Sequence, residues 1–319
     1  MRAAVRFYDE LAAPPDLLGE LLQGLETRPR AIAPKFFYDA RGSALFDEIC
    51  RLPEYYLTRT ETAILRRHVR DIARRTARDA VFVELGSGAS EKVRLLLDAL
   101  KPRSYLAIDI SREFLLGATR RLARDYPWLE VHAACADYSR PLQLSYPPRG
   151  APRLAFFPGS SIGNFTPFEA GAFLTRLHSL VGPGGGLVIG VDLRKDPQVL
   201  HAAYNDAQGV TAAFNRNALC RLRRDFGADL DPDGFEHDAR YDAALGRIEM
   251  YLVSRRDQEI RLNGRTFAFA AGERLHTEYS YKYSVEEFQE LACAAGFEPE
   301  ALWTDPQQYF SVHYLRLPG

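Results

Sequence analysis

Apolar residues in the middle of the chain fall into short unbroken runs separated by stretches with helical spacing. AVFVEL (Ala80–Leu85), YLAIDI (Tyr105–Ile110), EVHAACAD, RLAFFPG and GLVIGVDL are apolar runs of strand length. EKVRLLLDALK, SREFLLGATRRLARDYP and FEAGAFLTRLHSLV lie between them, with apolar positions three and four apart. Strands without alternation, joined by helices, predict a parallel sheet buried on both faces. Ser111 is expected to cap the second of these helices, and Pro127 to end it.

Beyond Leu193 the period changes. DPQVLHAAYNDAQGVTAAFNRNALCRLRRDFG reads as helical and is rich in small and amide residues. EHDARYD, RIEMYLVSRR, QEIRLNGRTFAFAAGE and LHTEYSYKY then alternate as antiparallel strands, with Asn263-Gly264 as a hairpin turn. A helix, SVEEFQELACAAGF, and two strands, PEALWTD and YFSVHYLRL, return to the first style. The expected fold class is α/β: a Rossmann-like doubly wound core over residues 60–195 and 284–319. Residues 1–59 and 196–283 are assigned to a second, α+β domain that binds substrate.

Composition removes several function classes. The 319 residues carry a net charge of -1, with 46% hydrophobic and 26% charged, so no nucleic-acid partner is expected. Arginine-rich stretches such as RRDIARRTARD interleave acids and read as solvated helix faces. Cys50, Cys135, Cys220 and Cys293 form no CxxC, and the seven histidines form no HExxH, so neither a disulfide framework nor a metal site is expected. MRAAVRFYDELAAPPD lacks an apolar run of signal-peptide length, and no run approaches a membrane span. A cytoplasmic monomer without a membrane partner is the expectation.

The chemistry begins at VELGSGASEK (Val83–Lys92), which follows the first strand and opens a helix. Gly86, Ser87 and Gly88 are small enough for the backbone to approach a ligand, and the helix start offers N–H groups to an anion. A dinucleotide fingerprint would carry glycine where Glu91 stands, and no GK[ST] is present, which argues against hydride transfer and a P-loop. Asp109 ends the second strand, where a carboxylate can accept two ribose hydroxyls, and Asp137 with Tyr138 ends the third. Singly, such features are often only a turn and a helix cap. Together they look like the S-adenosylmethionine site of a methyltransferase, with the turn at the methionine end, Asp109 at the ribose and Asp137 and Tyr138 near the adenine. Lys92 reads as a partner of the methionine carboxylate, as a partner of neighbouring acids, or as a surface helix lysine.

Amine methyltransferases of this fold often carry Asn/Asp-Pro-Pro-aromatic after the fourth strand, but FFPGSSIGNF (Phe156–Phe165) stands there instead. That segment, with PKFFYDARGSALFDEICRLPEYYLTRTE (Pro34–Glu61), ELGSG, GVTAAFNRN, RIEM and TEYSYK, resembles one family closely. It is the histidine Nα-methyltransferase family of ergothioneine biosynthesis, which makes hercynine by three successive methylations. The likeness runs from Pro34 to about Asp305.

The resemblance implies a set of site residues. Tyr38 and Asn164 would neighbour the reacting α-amino group. Tyr55, Gly159, Asn164 and Tyr204 would surround the amino acid and its carboxylate. Glu278 and Ser280 would hydrogen-bond the imidazole, with Met250 beside it. Gly86, Lys92, Asp109, Asp137 and Tyr138 match cofactor positions. Met250 also reads as plain core, and Tyr204 as packing on another helix. Glu278 resists a bland reading, because a buried acid needs a partner. The chain departs from the family at PKFFYD, where PKWFYD is expected, and at Tyr281, where small residues are common. Strand alternation turns Tyr281 away from the side shared by Ser280 and Glu278. Two rivals stay open: a related N-methyltransferase for another amino acid or aromatic amine, such as a tryptophan derivative, and a non-catalytic S-adenosylmethionine sensor.

Overall fold

The computed structural model describes residues 5–10, 16–76, 79–88, 91–142, 144, 146 and 153–319. In chain order the elements are β1 (Arg6–Asp9), α1 (Leu17–Glu26), α2 (Ala40–Ile49), α3 (Tyr56–Arg75), β2 (Val81–Leu85), α4 (Glu91–Leu100), β3 (Ser104–Asp109) and α5 (Arg112–Asp125). Next come β4 (Glu130–Cys135), β5 (Arg153–Phe157), α6 (Pro167–Val181), β6 (Gly186–Asp192), α7 (Pro197–Tyr204) and α8 (Val210–Phe226). Strands β7 (Phe235–Asp242), β8 (Arg247–Ser254), β9 (Gln258–Leu262), β10 (Arg265–Phe269) and β11 (Arg274–Tyr281) follow, then α9 (Val285–Ala294), β12 (Glu298–Thr304) and β13 (Phe310–Arg316). They form two compact units: Met1–Pro14, Leu57–Arg194 and Tyr283–Gly319 in the first, Pro15–Tyr56 and Lys195–Lys282 in the second.

The first unit is built on an eight-stranded sheet ordered β1-β4-β3-β2-β5-β6-β13-β12. Strands β1 to β6 pair in parallel, while β13 and β12 run antiparallel at one edge. The parallel strands are apolar runs because both faces are covered; every residue of β2 and β6 is buried. Strand order reverses between β2 and β5, which places the ends of these strands at the switch point where open α/β sheets bind ligands. One sequence assignment is corrected here. Strand β1 belongs to this sheet, pairing with β4, so that of residues 1–59 only Pro15–Tyr56 fall in the second unit. Four residues are too few to show a period, and the partner lies more than a hundred positions away.

The second unit has a three-stranded antiparallel sheet, β11-β8-β7, and a separate hairpin, β9-β10. The hairpin turns at Asn263 and Gly264, both at positive φ (50° and 74°), as an Asn-Gly turn requires. Its core gathers Leu21, Leu25 and Phe36 with Leu219, Leu222, Phe235, Leu252, Ile260, Phe269 and Leu275. The stretch after Leu193 reads as one helical run, but the structure breaks it between α7 and α8. The Asp206 carboxylate accepts from Val210 N and Thr211 N, both at 2.8 Å, and Gly209 takes a φ of 70°. An aspartate that bonds nearby backbone and a left-handed glycine outcompete continuous helix. Among the described residues no helix is long and apolar enough to cross a membrane, and no three His, Cys, Asp or Glu side chains gather as metal ligands.

Candidate functional site

In the first unit, the turn after β2 wraps around one carboxylate. Gly86 and Ser87 donate their N–H groups to Ile108 O (2.9 and 3.2 Å), which folds the turn back onto β3. Gly88 N donates to Asp109 Oδ2 at 3.1 Å, and Ser111 N to Asp109 Oδ1 at 2.9 Å. Burial raises the Asp109 pKa, and the N–H groups of Ser111, Gly88 and Ile110 pull it back toward its ordinary value. Each oxygen keeps a second lone pair for a ligand hydroxyl. Ser111 caps α5 differently from expectation: its side chain makes no capping bond, and its backbone is held by Asp109. Gly86 and Gly88 sit at positive φ, 66° and 47°. A Cβ on Gly86 would meet the Tyr138 ring at 3.4 Å, so the turn packs flat against that ring. Tyr138 is fixed edge-on by Phe157, with centroids 5.6 Å apart. Asp137 lies two residues beyond β4 and accepts from Ser139 N (3.0 Å) and Ser139 Oγ (2.5 Å). Ala89 and Ser90 of the turn lie outside the described residues.

Lys92 forms an ion pair with a neighbouring acid, Glu61 on α3. Glu61 is fully buried and also accepts from Gly159 N at 2.9 and 3.0 Å. Gly190 in the middle of β6 leaves room for it, because a Cβ there would stand 2.0 Å from Glu61 Oε1. One carboxylate thus ties helix α4 to the turn after β5. Sequence reading missed Glu61. Its signal was an acid on the helix stripe formed by Leu57, Ile64, Leu65 and Ile72, all buried.

That turn explains the small residues of GSSIGN. Gly159 and Ser160 take left-handed φ values of 80° and 57°. Ser160 Oγ accepts from Asp192 N at 2.9 Å, and Ser161 Oγ donates to Pro158 O at 3.1 Å. Asn164 ends the following 3-10 turn (Ser161–Asn164), half-buried, and its amide makes no hydrogen bond among the described residues. Glu84, in β2, is buried, takes the Tyr105 hydroxyl, and burial pushes its pKa up to about 8.

In the second unit, Tyr38 follows the 3-10 turn Pro34–Phe37. Asn217 on α8 donates to Phe37 O (3.1 Å) and Asp39 Oδ1 (2.9 Å), and the Tyr38 ring packs on Phe46 and Phe214 at 5.8 and 5.5 Å. The Tyr55 ring lies 6.4 Å from that of Tyr204. Burial holds the Tyr55 hydroxyl well above its ordinary pKa. Tyr204 faces β11, where its hydroxyl donates to Ser280 Oγ at 2.8 Å.

Glu278 stands out electrostatically. It pairs across the sheet with Met250, which is buried, so both side chains share one face. The Glu278 carboxyl makes no hydrogen bond among the described residues, and burial pushes its pKa up to about 7, against the charge of Lys282. Lys282 is itself buried and donates to Ser280 Oγ (2.8 Å) and Tyr204 Oη (3.0 Å). Tyr281 and Tyr279 point the other way, where Arg247 bonds the Tyr281 hydroxyl and lies 3.9 Å from the Tyr279 ring centroid. Tyr281 therefore leaves the Glu278–Ser280 face open.

Residues 17–317 match the profile of a family described as histidine-specific methyltransferase, SAM-dependent. The histidine N-alpha-methyltransferase of Mycolicibacterium smegmatis is 43% identical over 295 residues, covering 91% of each chain. That of Mycobacterium tuberculosis is 42% identical over 299 residues, 92% of each chain. The 4-dimethylallyltryptophan N-methyltransferase of Claviceps purpurea is 28% identical, over 93% of this chain and 94% of its own.

Proposed function

Because the chain belongs to the histidine-specific, S-adenosylmethionine-dependent methyltransferases, we propose that it methylates the α-amino group of L-histidine three times, giving hercynine for ergothioneine biosynthesis. The observation that carries the choice of histidine is Glu278. A buried carboxyl without a hydrogen-bonded partner is costly, and an imidazole N–H repays that cost where an aliphatic side chain does not. Ser280, on the same face, meets the second ring nitrogen, and Met250 packs beside the ring.

The first unit fits S-adenosylmethionine. Asp109 keeps acceptor capacity for ribose hydroxyls, and among the described residues a Cβ on Gly88 would meet only Gly86 O, at 3.9 Å, so its backbone is open to approach. Gly86, Ser87 and Gly88 would take the methionine end, and Asp137 and Tyr138 the adenine end. Lys92 acts through its pair with Glu61. When bound, the cofactor supplies a methyl group on a sulfonium.

The chain's own residues have a modest task. The α-amino group of a free amino acid titrates above the roughly 8 of a peptide amine, because its own carboxylate favours the ammonium, and a sulfonium close by pulls the other way, toward the neutral amine. Asn164, whose amide bonds none of the described residues, and the Tyr38 hydroxyl would hold amine N–H groups and aim the lone pair; such alignment is worth up to roughly 7–11 kcal/mol. Both are neutral acceptors, so they release the nitrogen as each N–H is replaced. Tyr55, Gly159 and Tyr204 would keep the amino acid in register between rounds.

The test is mass spectrometry of the products from histidine and S-adenosylmethionine, with a panel of amino acids in parallel. Added masses of one, two and finally three methyl groups on histidine are expected. Methylation of tryptophan derivatives in preference to histidine would sink the reading. The resemblance to the Claviceps enzyme makes that comparison necessary, and Glu278, which an indole would leave poorly matched beside Ser280, favours histidine.

A further inference from the structure

We propose that Lys282 is a positioning residue that fixes the Ser280 hydroxyl as a donor, so that this site reads the bare nitrogen of a neutral imidazole. The inference rests on the reading of this unit as the histidine side.

Glu278, Ser280 and Lys282 alternate along and just past β11, so their side chains leave the strand on one side. Lys282 is buried to 1% exposure, and its ammonium, which has donors and no acceptor, bonds Ser280 Oγ at 2.8 Å and Tyr204 Oη at 3.0 Å. Tyr204 in turn donates its hydroxyl proton to Ser280 Oγ at 2.8 Å. A serine hydroxyl has two acceptor positions and one proton. Both positions of Ser280 are taken, by Lys282 and Tyr204. Its own proton therefore points away from both, toward a third group that must be an acceptor.

Two residues along the same face, ionised Glu278 has the opposite character: it only accepts. A hydroxyl proton beside a carboxylate matches a ring with one bare nitrogen and one N–H, which describes neutral imidazole. Imidazolium would set an N–H against the Ser280 proton. A pyrrole or indole would leave that proton unmatched in a buried place, which costs about tenfold or more in affinity. Lys282 also lowers the Glu278 carboxyl toward ionisation, opposing its burial. The simpler role for Lys282, a bolt between α7 and β11, predicts no such selectivity.

The experiment uses the full chain with saturating S-adenosylhomocysteine. Binding of L-histidine and of the two pyrrolylalanine isomers, which keep one ring N–H and lack the bare nitrogen, is measured by calorimetry. Lys282→Met is expected to weaken histidine about tenfold and to leave the better pyrrolylalanine within about twofold. Ser280→Ala should do the same, and the double variant should be no worse than Ser280→Ala alone. Equal losses for histidine and pyrrolylalanine, or additive losses in the double variant, would overturn the proposal. A readout that needs no variant is the 15N spectrum of labelled histidine bound at pH 7. One protonated and one bare ring nitrogen are expected; two protonated nitrogens overturn the proposal even if Lys282→Met fails to fold. If the wild-type protein binds no histidine, the functional reading itself falls, and this inference with it.

Discussion

Asp109, at the end of β3, takes backbone N–H groups from Gly88 and Ser111 at 3.1 and 2.9 Å, whereas Glu278, in β11, takes none among the described residues and has Met250 opposite it. Burial raises both carboxyls, but only Asp109 has N–H groups to pull it back; Glu278 stays near 7. An acid at a tight turn is held by backbone N–H groups that offset part of the cost of burying its charge. An acid on the apolar face of a sheet depends on what the ligand brings. The cofactor side is thus satisfied in advance, and the substrate side waits for its partner.

The comparison breaks first at Glu278→Ala. Losing a charged hydrogen bond to the ring should weaken histidine about 100-fold, while tryptophan changes by less than about threefold. Equal losses for the two ligands in a competition assay would remove Glu278 from ring recognition. Asp109→Asn should come next. Its amide NH2 would face a backbone N–H, so roughly 1–3 kcal/mol of stability and about thirtyfold in S-adenosylmethionine affinity should go together, read by urea melts and calorimetry.

Glu278→Gln should move stability the other way. Folded Glu278 keeps its proton up to about pH 7, while the unfolded chain releases it near the ordinary 4.5, so stability falls as pH rises through that window. The full effect is bounded by roughly 3 kcal/mol, and a gain of about 2 kcal/mol for the variant at pH 8, vanishing at pH 4, is expected from denaturant melts. A variant less stable than the parent at pH 8 would mean that Glu278 has a hydrogen-bonded partner in solution. Smallest in stability is Asn164→Ala. It should leave Tm and cofactor affinity unchanged, because the amide bonds none of the described residues, and lower kcat/KM for histidine about tenfold. Unchanged histidine kinetics would take Asn164 out of the site.

Legibility followed distance along the chain. The Gly86–Gly88 turn and Asp109 were readable because a strand, a turn and a helix in sequence already build them. The Asn263-Gly264 hairpin was readable for the same reason. Lys92 was not, since its partner Glu61 lies 31 residues back on another helix. Lys282 was passed over because its two hydrogen-bonded hydroxyls come together only when α7 meets β11.

The pairing of Glu278 with Ser280 shows where the two sources of information divide. A strand's period of two puts both on one side and turns Tyr279 and Tyr281 to the other, and the sequence alone determined that much. Which side faces the core was decided by a bulge between His276 and Glu278. Leu275 opposite Leu252 is buried, and unbroken alternation from it would have sent Tyr279 and Tyr281 inward. The extra residue, Thr277, reverses the phase, so that Glu278 meets Met250 and Ser280 meets Ile248 on the apolar face. A one-residue slip costs nothing in local pattern and flips every side chain beyond it. Only pairing with β8 could settle it.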